Sequence, residues 1–165
     1  MKKILAFLAI SMTAGYALAD APITGNVQSR CVVTTDTPGV YGNPNAYTLT
    51  TNSHDGGVMP IVRFDVTLAD AYYAQITTPT EFTSSPSLSD TVTWTGSTHV
   101  SAVSDATNMG DYEINKTTFG ATTQYDLTAT GSIWFKSSSE AAYGGNKAFP
   151  GGQYSATVEA KCIAQ

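Results

Sequence analysis

From Tyr154 to Ala164 the residues alternate almost without fault. Tyr154, Ala156, Val158, Ala160, Cys162 and Ala164 share one parity, Ser155, Thr157, Glu159 and Lys161 share the other, and Ile163 alone breaks the pattern. A period of two, apolar on one face and polar on the other, is what a strand half-buried in a sheet requires. The chain has 2 cysteines, and the second one lies on the apolar face of this strand. The first, Cys31, lies on another alternating segment, where Ile23, Gly25, Val27, Ser29, Cys31 and Val33 oppose Thr24, Asn26, Gln28, Arg30 and Thr34. Two cysteines of matching inward parity predict a Cys31–Cys162 disulfide. Any fold that satisfies it sets the first and last strands side by side.

The first residues read as an export leader, which makes a disulfide chemically reasonable. Lys2 and Lys3 precede an apolar run, Ile4 to Met12, and Ala17-Leu18-Ala19 offers a small-x-small cleavage site. The run is too short to stay in a membrane as an anchor. We expect residues 1–19 to be a signal peptide and residues 20–165 to form one exported domain, in the periplasm, at the cell surface or outside the cell. The basic residues after the leader (Arg30, Arg63, Lys116, Lys136, Lys147, Lys161) are scattered, and only 13% of the whole chain is charged. A nucleic-acid partner needs a clustered basic face, so that class is set aside.

Between the two cysteines the pattern is of short strands and Gly/Pro turns. Asp36 to Asn45 reads as a turn-rich stretch, Tyr47 to Thr51 as a short strand and His54-Asp55-Gly56-Gly57 as a hairpin turn. Val58 to Leu68 is the most apolar segment after the leader, and Tyr72 to Thr77 follows it as a further strand. Thr91 to Thr95 is expected to turn at Gly96-Ser97 into a strand from His99 to Val103. Asp105 to Gly110 reads as a polar loop, Tyr112 to Asn115 as a short strand, and Gln124 to Thr130 and Ser132 to Phe135 as strands with a bend at Gly131. Lys136 to Gly152 reads as a loop. Leu68 to Tyr73 and Ser137 to Ala142 are the best helix candidates, both short. Eight to ten short strands with turns between them predict an all-β antiparallel sandwich of immunoglobulin-like type.

The segment Phe149-Pro150-Gly151-Gly152-Gln153-Tyr154-Ser155-Ala156-Thr157-Val158 resembles the closing strand of bacterial pilins. The stretch Asp20-Ala21-Pro22-Ile23-Thr24-Gly25-Asn26-Val27 resembles the N-terminal extension of chaperone–usher fimbrial subunits. The resemblance is confined to these ends. It implies an immunoglobulin-like sandwich lacking a strand, completed by a neighbour's extension whose alternate residues enter pockets. Ala21, Ile23, Gly25 and Val27 would be the inserted residues, and other pilus or envelope subunits and a periplasmic chaperone would be the partners. The resemblance leaves a second reading open, in which Ile23 to Val33 is simply the domain's own first strand.

No residue pattern points to catalysis. His54 falls in an expected turn and His99 on a polar strand; no Gly-x-Ser-x-Gly elbow, phosphate loop or His-Glu-x-x-His motif is present. We therefore expect a structural protein, without enzymatic activity or cofactor. Asp105, Asn108, Asp111 and Glu113 could supply oxygen ligands to calcium, although their spacing departs from the Asp-x-Asp-x-Asp-Gly loop. The alternative function is a monomeric binding module for a carbohydrate-type ligand, with Trp94, Trp134, Tyr72 and Tyr73 as candidate contacts, since aromatic faces stack on sugar rings.

Overall fold

The computed structural model describes residues 31–165. The leader and the candidate inserted residues Ala21, Ile23, Gly25 and Val27 lie outside the described residues. Among those described, ten strands form two antiparallel sheets. They are β1 (Cys31–Thr37), β2 (Gly42–Asn45), β3 (Thr48–Thr50), β4 (Ile61–Val66), β5 (Tyr72–Thr77), β6 (Val92–Val103), β7 (Thr117–Phe119), β8 (Thr122–Asp126), β9 (Gly131–Tyr143) and β10 (Glu159–Ala164). The antiparallel β-sandwich expected from the sequence is the architecture observed.

The larger sheet is organised around β9. Along one edge β9 pairs first with β4, from Gly131↔Val66 to Lys136↔Ile61, and then with β3, from Glu140↔Thr50 to Ala142↔Thr48. Along its other edge it pairs with β6 from end to end. β1 lies outside β4 and β2 outside β3. The smaller sheet has the order β10-β5-β8-β7.

The core forms where the inward parities of the two sheets meet. Val62, Phe64 and Val66 from β4 and Ile133 and Phe135 from β9 face Ala74 and Ile76 from β5 and Tyr125 from β8. Phe64 meets Phe135 edge-on at 5.3 Å, and Tyr125 lies 4.5 Å from Phe135, arrangements that the quadrupole of an aromatic ring favours. Below Phe135 the inward positions of β9 turn small and polar. Ser137 and Ser139 are buried, and each finds partners: Ser137 Oγ is 3.1 Å from Thr98 Oγ1, and Ser139 Oγ is 2.9 Å from the Tyr41 hydroxyl. A buried hydroxyl without such a bond would cost about 1–3 kcal/mol.

Several local expectations are corrected. Gly96-Ser97 is not a turn but lies inside the 12-residue strand β6, and the expected loop from Lys136 is the second half of β9. The helix candidate Ser137 to Ala142 is strand for the same reason: its neighbours on both sides supply main-chain partners. The other helix candidate is a bend leading into β5. Thr91 is followed by β6 directly, and β1 continues to Thr37 before β2 begins at Gly42. Tyr112 to Asn115 is turn, and the strand lies just beyond, at β7. His54-Asp55-Gly56-Gly57 is not a hairpin; Ser53–Asp55 make one 3-10 turn, ended by Gly56 at φ 78°, a left-handed conformation glycine adopts without penalty. Gly131 does lie at a special point, the start of β9. Its φ is 141°, and a Cβ there would sit 2.5 Å from the Met109 methyl.

Candidate functional site

The two ends of the described chain meet along one rim of the sandwich. β1 is the outermost strand of the larger sheet and β10 of the smaller, and among the described residues neither has a second strand beside it. A disulfide between Cys31 and Cys162 joins them, with the two Cα atoms 6.2 Å apart. From that bond β1 runs forward and β10 runs back toward the same place. Thr35 and Val158, each four residues from its cysteine, line one cleft. The rim is therefore a seam, closed at one end by sulfur and widening at the other into a cleft of about 750 Å³.

The parity read from the sequence holds along the seam. Val158, Ala160 and Cys162 turn inward and Thr157, Glu159 and Lys161 outward, while Val33 faces in from β1. These inward residues are only half-buried, unlike their equivalents on β4, β5 and β9. The cleft has an apolar floor from Leu49 and Val62 and a wall from the extended segment 152–158. That segment is held by main-chain bonds between Ser155 and the Thr83-Ser84 pair. Behind it lies an aromatic group in which Phe82 touches Trp94 at 4.7 Å, Tyr154 at 5.1 Å and Phe149 at 6.0 Å. Burial pushes the Tyr41 hydroxyl above its ordinary pKa, and its bond to Ser139 only partly offsets this.

The opposite rim is built differently. Residues 104–116 cross from β6 to β7. Asp105 caps the short helix α1 (Ala106–Met109), accepting from the Thr107 and Asn108 amides at 2.9 and 3.3 Å. Met109 and Tyr112 are buried against the core. Glu113 and Lys116 then reach the free edge of β6. Glu113 Oε2 accepts from the Val100 amide at 2.8 Å, and Lys116 Nζ donates to the Thr98 carbonyl at 3.2 Å. The Tyr125 hydroxyl donates to that carbonyl too, at 3.0 Å.

His99 joins this group. Its Nδ1 is 3.0 Å from Glu113 Oε1, and its Nε2 is 3.0 Å from Ser97 Oγ, which in turn is 2.9 Å from Ser138 Oγ. Lys116 Nζ contacts the same Glu113 oxygen. Burial pushes the Glu113 carboxyl up, but the bonds from Lys116, Val100 and His99 and the Lys116 charge outweigh it and hold the group below the ordinary carboxylate range.

The four aromatic candidates do not form a platform. Trp94 is on the inward face against Phe82, and Tyr72 packs on the edge of the core. Trp134 lies on the outer face of the larger sheet, its Nε1 3.2 Å from Asp36 Oδ1 and the Arg63 guanidinium 6.0 Å from its ring. Tyr73 has the opposite parity from Tyr72, on the outer face of the smaller sheet. The calcium candidates are also dispersed: Asp105 and Asn108 bond to each other, whereas Glu113 is directed to β6. Among the described residues no three His, Cys, Asp or Glu side chains converge as metal ligands do. His54 is solvated, 3.5 Å from Asp55. Sequence reasoning missed Ser97 and Lys116 as partners of His99, and Ser138 as the partner of Ser97. Ser97-x-His99 was the available signal, hidden by reading Gly96-Ser97 as a turn.

Among the described residues no helix is long and apolar enough to cross a membrane. Comparison with family models, curated proteins and solved structures found no match.

Proposed function

We propose that this chain is an exported structural subunit of a cell-surface assembly, joined to its neighbours in a pilin-like way. The observation that carries this reading is the seam between β1 and β10. Among the described residues no strand pairs with the outer edge of β1 or of β10, and the side chains beneath are apolar and only half covered. An unpaired edge is normally blunted by charge, proline or a covering segment, because it recruits other strands. An extended segment laid in the seam gains main-chain bonds along its length, and its alternate side chains enter the interior. The segment Asp20 to Arg30 carries that alternation, with Ala21, Ile23, Gly25 and Val27 on one parity. It joins β1 at the disulfide end of the seam, away from the cleft, which favours delivery to a second copy. A periplasmic chaperone would cover the same seam before assembly.

The test is the size of the purified mature protein with and without Asp20 to Arg30. The full protein should form concentration-dependent oligomers. The truncated one should be monomeric and should bind a synthetic peptide of residues 20–30. If truncation leaves the oligomers unchanged, or the full protein is monomeric at every concentration, the reading fails. The second reading, a monomeric binding module for a carbohydrate-type ligand, draws on the cleft itself, whose volume lies in the range of small-molecule sites and whose walls include Tyr41 and Tyr154.

A further inference from the structure

We propose that Ser97, His99 and Glu113 form a serine-nucleophile site that hydrolyses short-chain acyl esters on the outer face of the larger sheet. This inference is independent of the seam and goes beyond a structural role.

The argument starts from parity. Ser97 and His99 are two residues apart on β6, so both project from the same face. They pair with Ser138 and Lys136 of β9, which share the exposed parity of that strand. Glu113 comes from the covering segment and meets His99 from beyond the strand edge. The result is one chain of contacts, Ser97 Oγ to His99 Nε2 at 3.0 Å and His99 Nδ1 to Glu113 Oε1 at 3.0 Å. Nucleophile, base and orienting carboxylate stand in the order that acyl transfer requires. The carboxylate is itself held, since its second oxygen accepts from the Val100 amide.

The shorter of the two contacts at Nδ1, to Glu113 at 3.0 Å against Lys116 at 3.4 Å, favours one tautomer. An ionised Glu113 accepts only, so Nδ1 carries the proton, and Nε2 offers its lone pair to the Ser97 hydroxyl. Covering the edge of β6 does not need this arrangement. The Val100 amide and the Thr98 carbonyl are satisfied by Glu113 and by Lys116 with Tyr125, and Ser97 takes no part in either.

Ser97 also borders a hollow of about 380 Å³, lined with Gly96, Ser138, Thr50, Asn52, Met59 and the acidic Glu140. Met59 is its main apolar wall, which suits a short acyl chain and not a long one. Asn52 lines the hollow and spends its side-chain oxygen on the His54 amide, so its NH2 is the donor it has left to offer. Lys136, directly across the ladder from His99, places a cation on the same face. The Asn52 amide is the donor that would meet a developing oxyanion; Lys136 lies outside the hollow, and the Glu140 carboxylate on its wall acts in the opposite sense. Lys116 is also unfavourable: it shares Glu113 and lies 3.4 Å from Nδ1, so its charge opposes the imidazolium. The site is therefore slow compared with hydrolases that have no such cation.

The reaction consumes only water. Ser97 Oγ bonds to the acyl carbon while its proton passes to His99 Nε2. The ester C–O bond breaks, and the leaving oxygen takes that proton and departs as the alcohol. Water then attacks the acyl-serine and gives a proton to His99, which returns it to Ser97 as the carboxylic acid leaves.

The experiment uses the full mature protein, with p-nitrophenyl butyrate as substrate and a fluorophosphonate as covalent probe. Hydrolysis should fall at least about tenfold in Ser97→Ala and in His99→Gln, with melting temperature unchanged. The probe's mass should appear on the peptide containing Ser97. If Ser97→Ala hydrolyses the ester at the wild-type rate, or Ser97 stays unmodified by the probe, the proposal is overturned. Exposed lysines that react with the ester persist in Ser97→Ala and so are separated from the site.

Discussion

On one side of the sandwich, residues 104–116 wrap across the rim, and Glu113, Lys116 and Tyr125 occupy the main-chain groups of β6. On the other side β1 and β10 are joined by one disulfide, and among the described residues neither outer edge has a strand beside it. Both rims end sheets of the same kind, yet the β6 edge of one is partly covered by side chains and the other is stapled by a disulfide. At the first rim the Val100 amide and the Thr98 carbonyl of β6 have side-chain partners, and at the second, among the described residues, no strand lies beside the outer edge of β1 or β10. A fold meant only to be inert would blunt both. The contrast is the physical basis for proposing association at the seam.

The comparison can be broken most forcefully at the disulfide. The bond spans 131 residues of sequence, and closing a loop of that length is worth about 4–5 kcal/mol in the chain-entropy model. Cys31→Ser with Cys162→Ser should lower the denaturant midpoint accordingly, and hydrogen exchange should rise first in β1 and β10, leaving β6 and β9 protected. Equal loosening of both rims would mean that the staple supports the whole sandwich and not the seam alone.

A smaller effect belongs to the covered rim. Tyr125 is buried, and burial, with help from the Glu113 charge, pushes its phenol well above the ordinary tyrosine range. A folded pKa raised above the unfolded value means stability that is fully present below about pH 10 and lost as pH rises beyond it. Tyr125→Phe should cost about 1 kcal/mol at neutral pH, for the lost bond to the Thr98 carbonyl. It should also flatten the alkaline limb of a stability–pH curve. An unchanged alkaline limb would show that Tyr125 does not link the rim to pH.

The smallest effect lies at Glu113. Its folded pKa is depressed, so its contribution is present above the unfolded value near pH 4.3 and is lost as pH falls through the folded value. The side chain is 40% exposed, so solvent screens the gain to under about 1 kcal/mol. Glu113→Gln should lower stability slightly at pH 7 and converge with wild type in acid. A variant that stays less stable by the same margin at every pH would mean that shape, and not charge, holds the covering segment.

Legibility followed the strength of the local pattern. The strand at Val58 to Leu68 and the closing strand were readable because Val62, Phe64 and Val66, or Val158, Ala160 and Cys162, alternate with polar residues. The far half of β9 alternates equally well, but its inward residues are Ser137, Ser139 and Ala141. Burial of the two serines depends on partners distant in the chain: Thr98 for the Ser137 hydroxyl, Tyr41 for the Ser139 hydroxyl and Thr51 for the Ser139 main chain. Small polar residues give no apolar signal, so the stretch reads as loop. The same blindness split β6 at Gly96-Ser97 and with it concealed the chain from Ser97 to His99.

The sequence by itself determined the class of fold, the inward parity of both cysteines and hence the bond between them, because those depend on a two-residue period that any strand imposes on its own side chains. Which rim is covered, where the cleft opens and what stands beside His99 were decided only by the tertiary structure. Each is a meeting of segments whose separation along the chain leaves no local trace, and main-chain pairing across β9 is what brings them together.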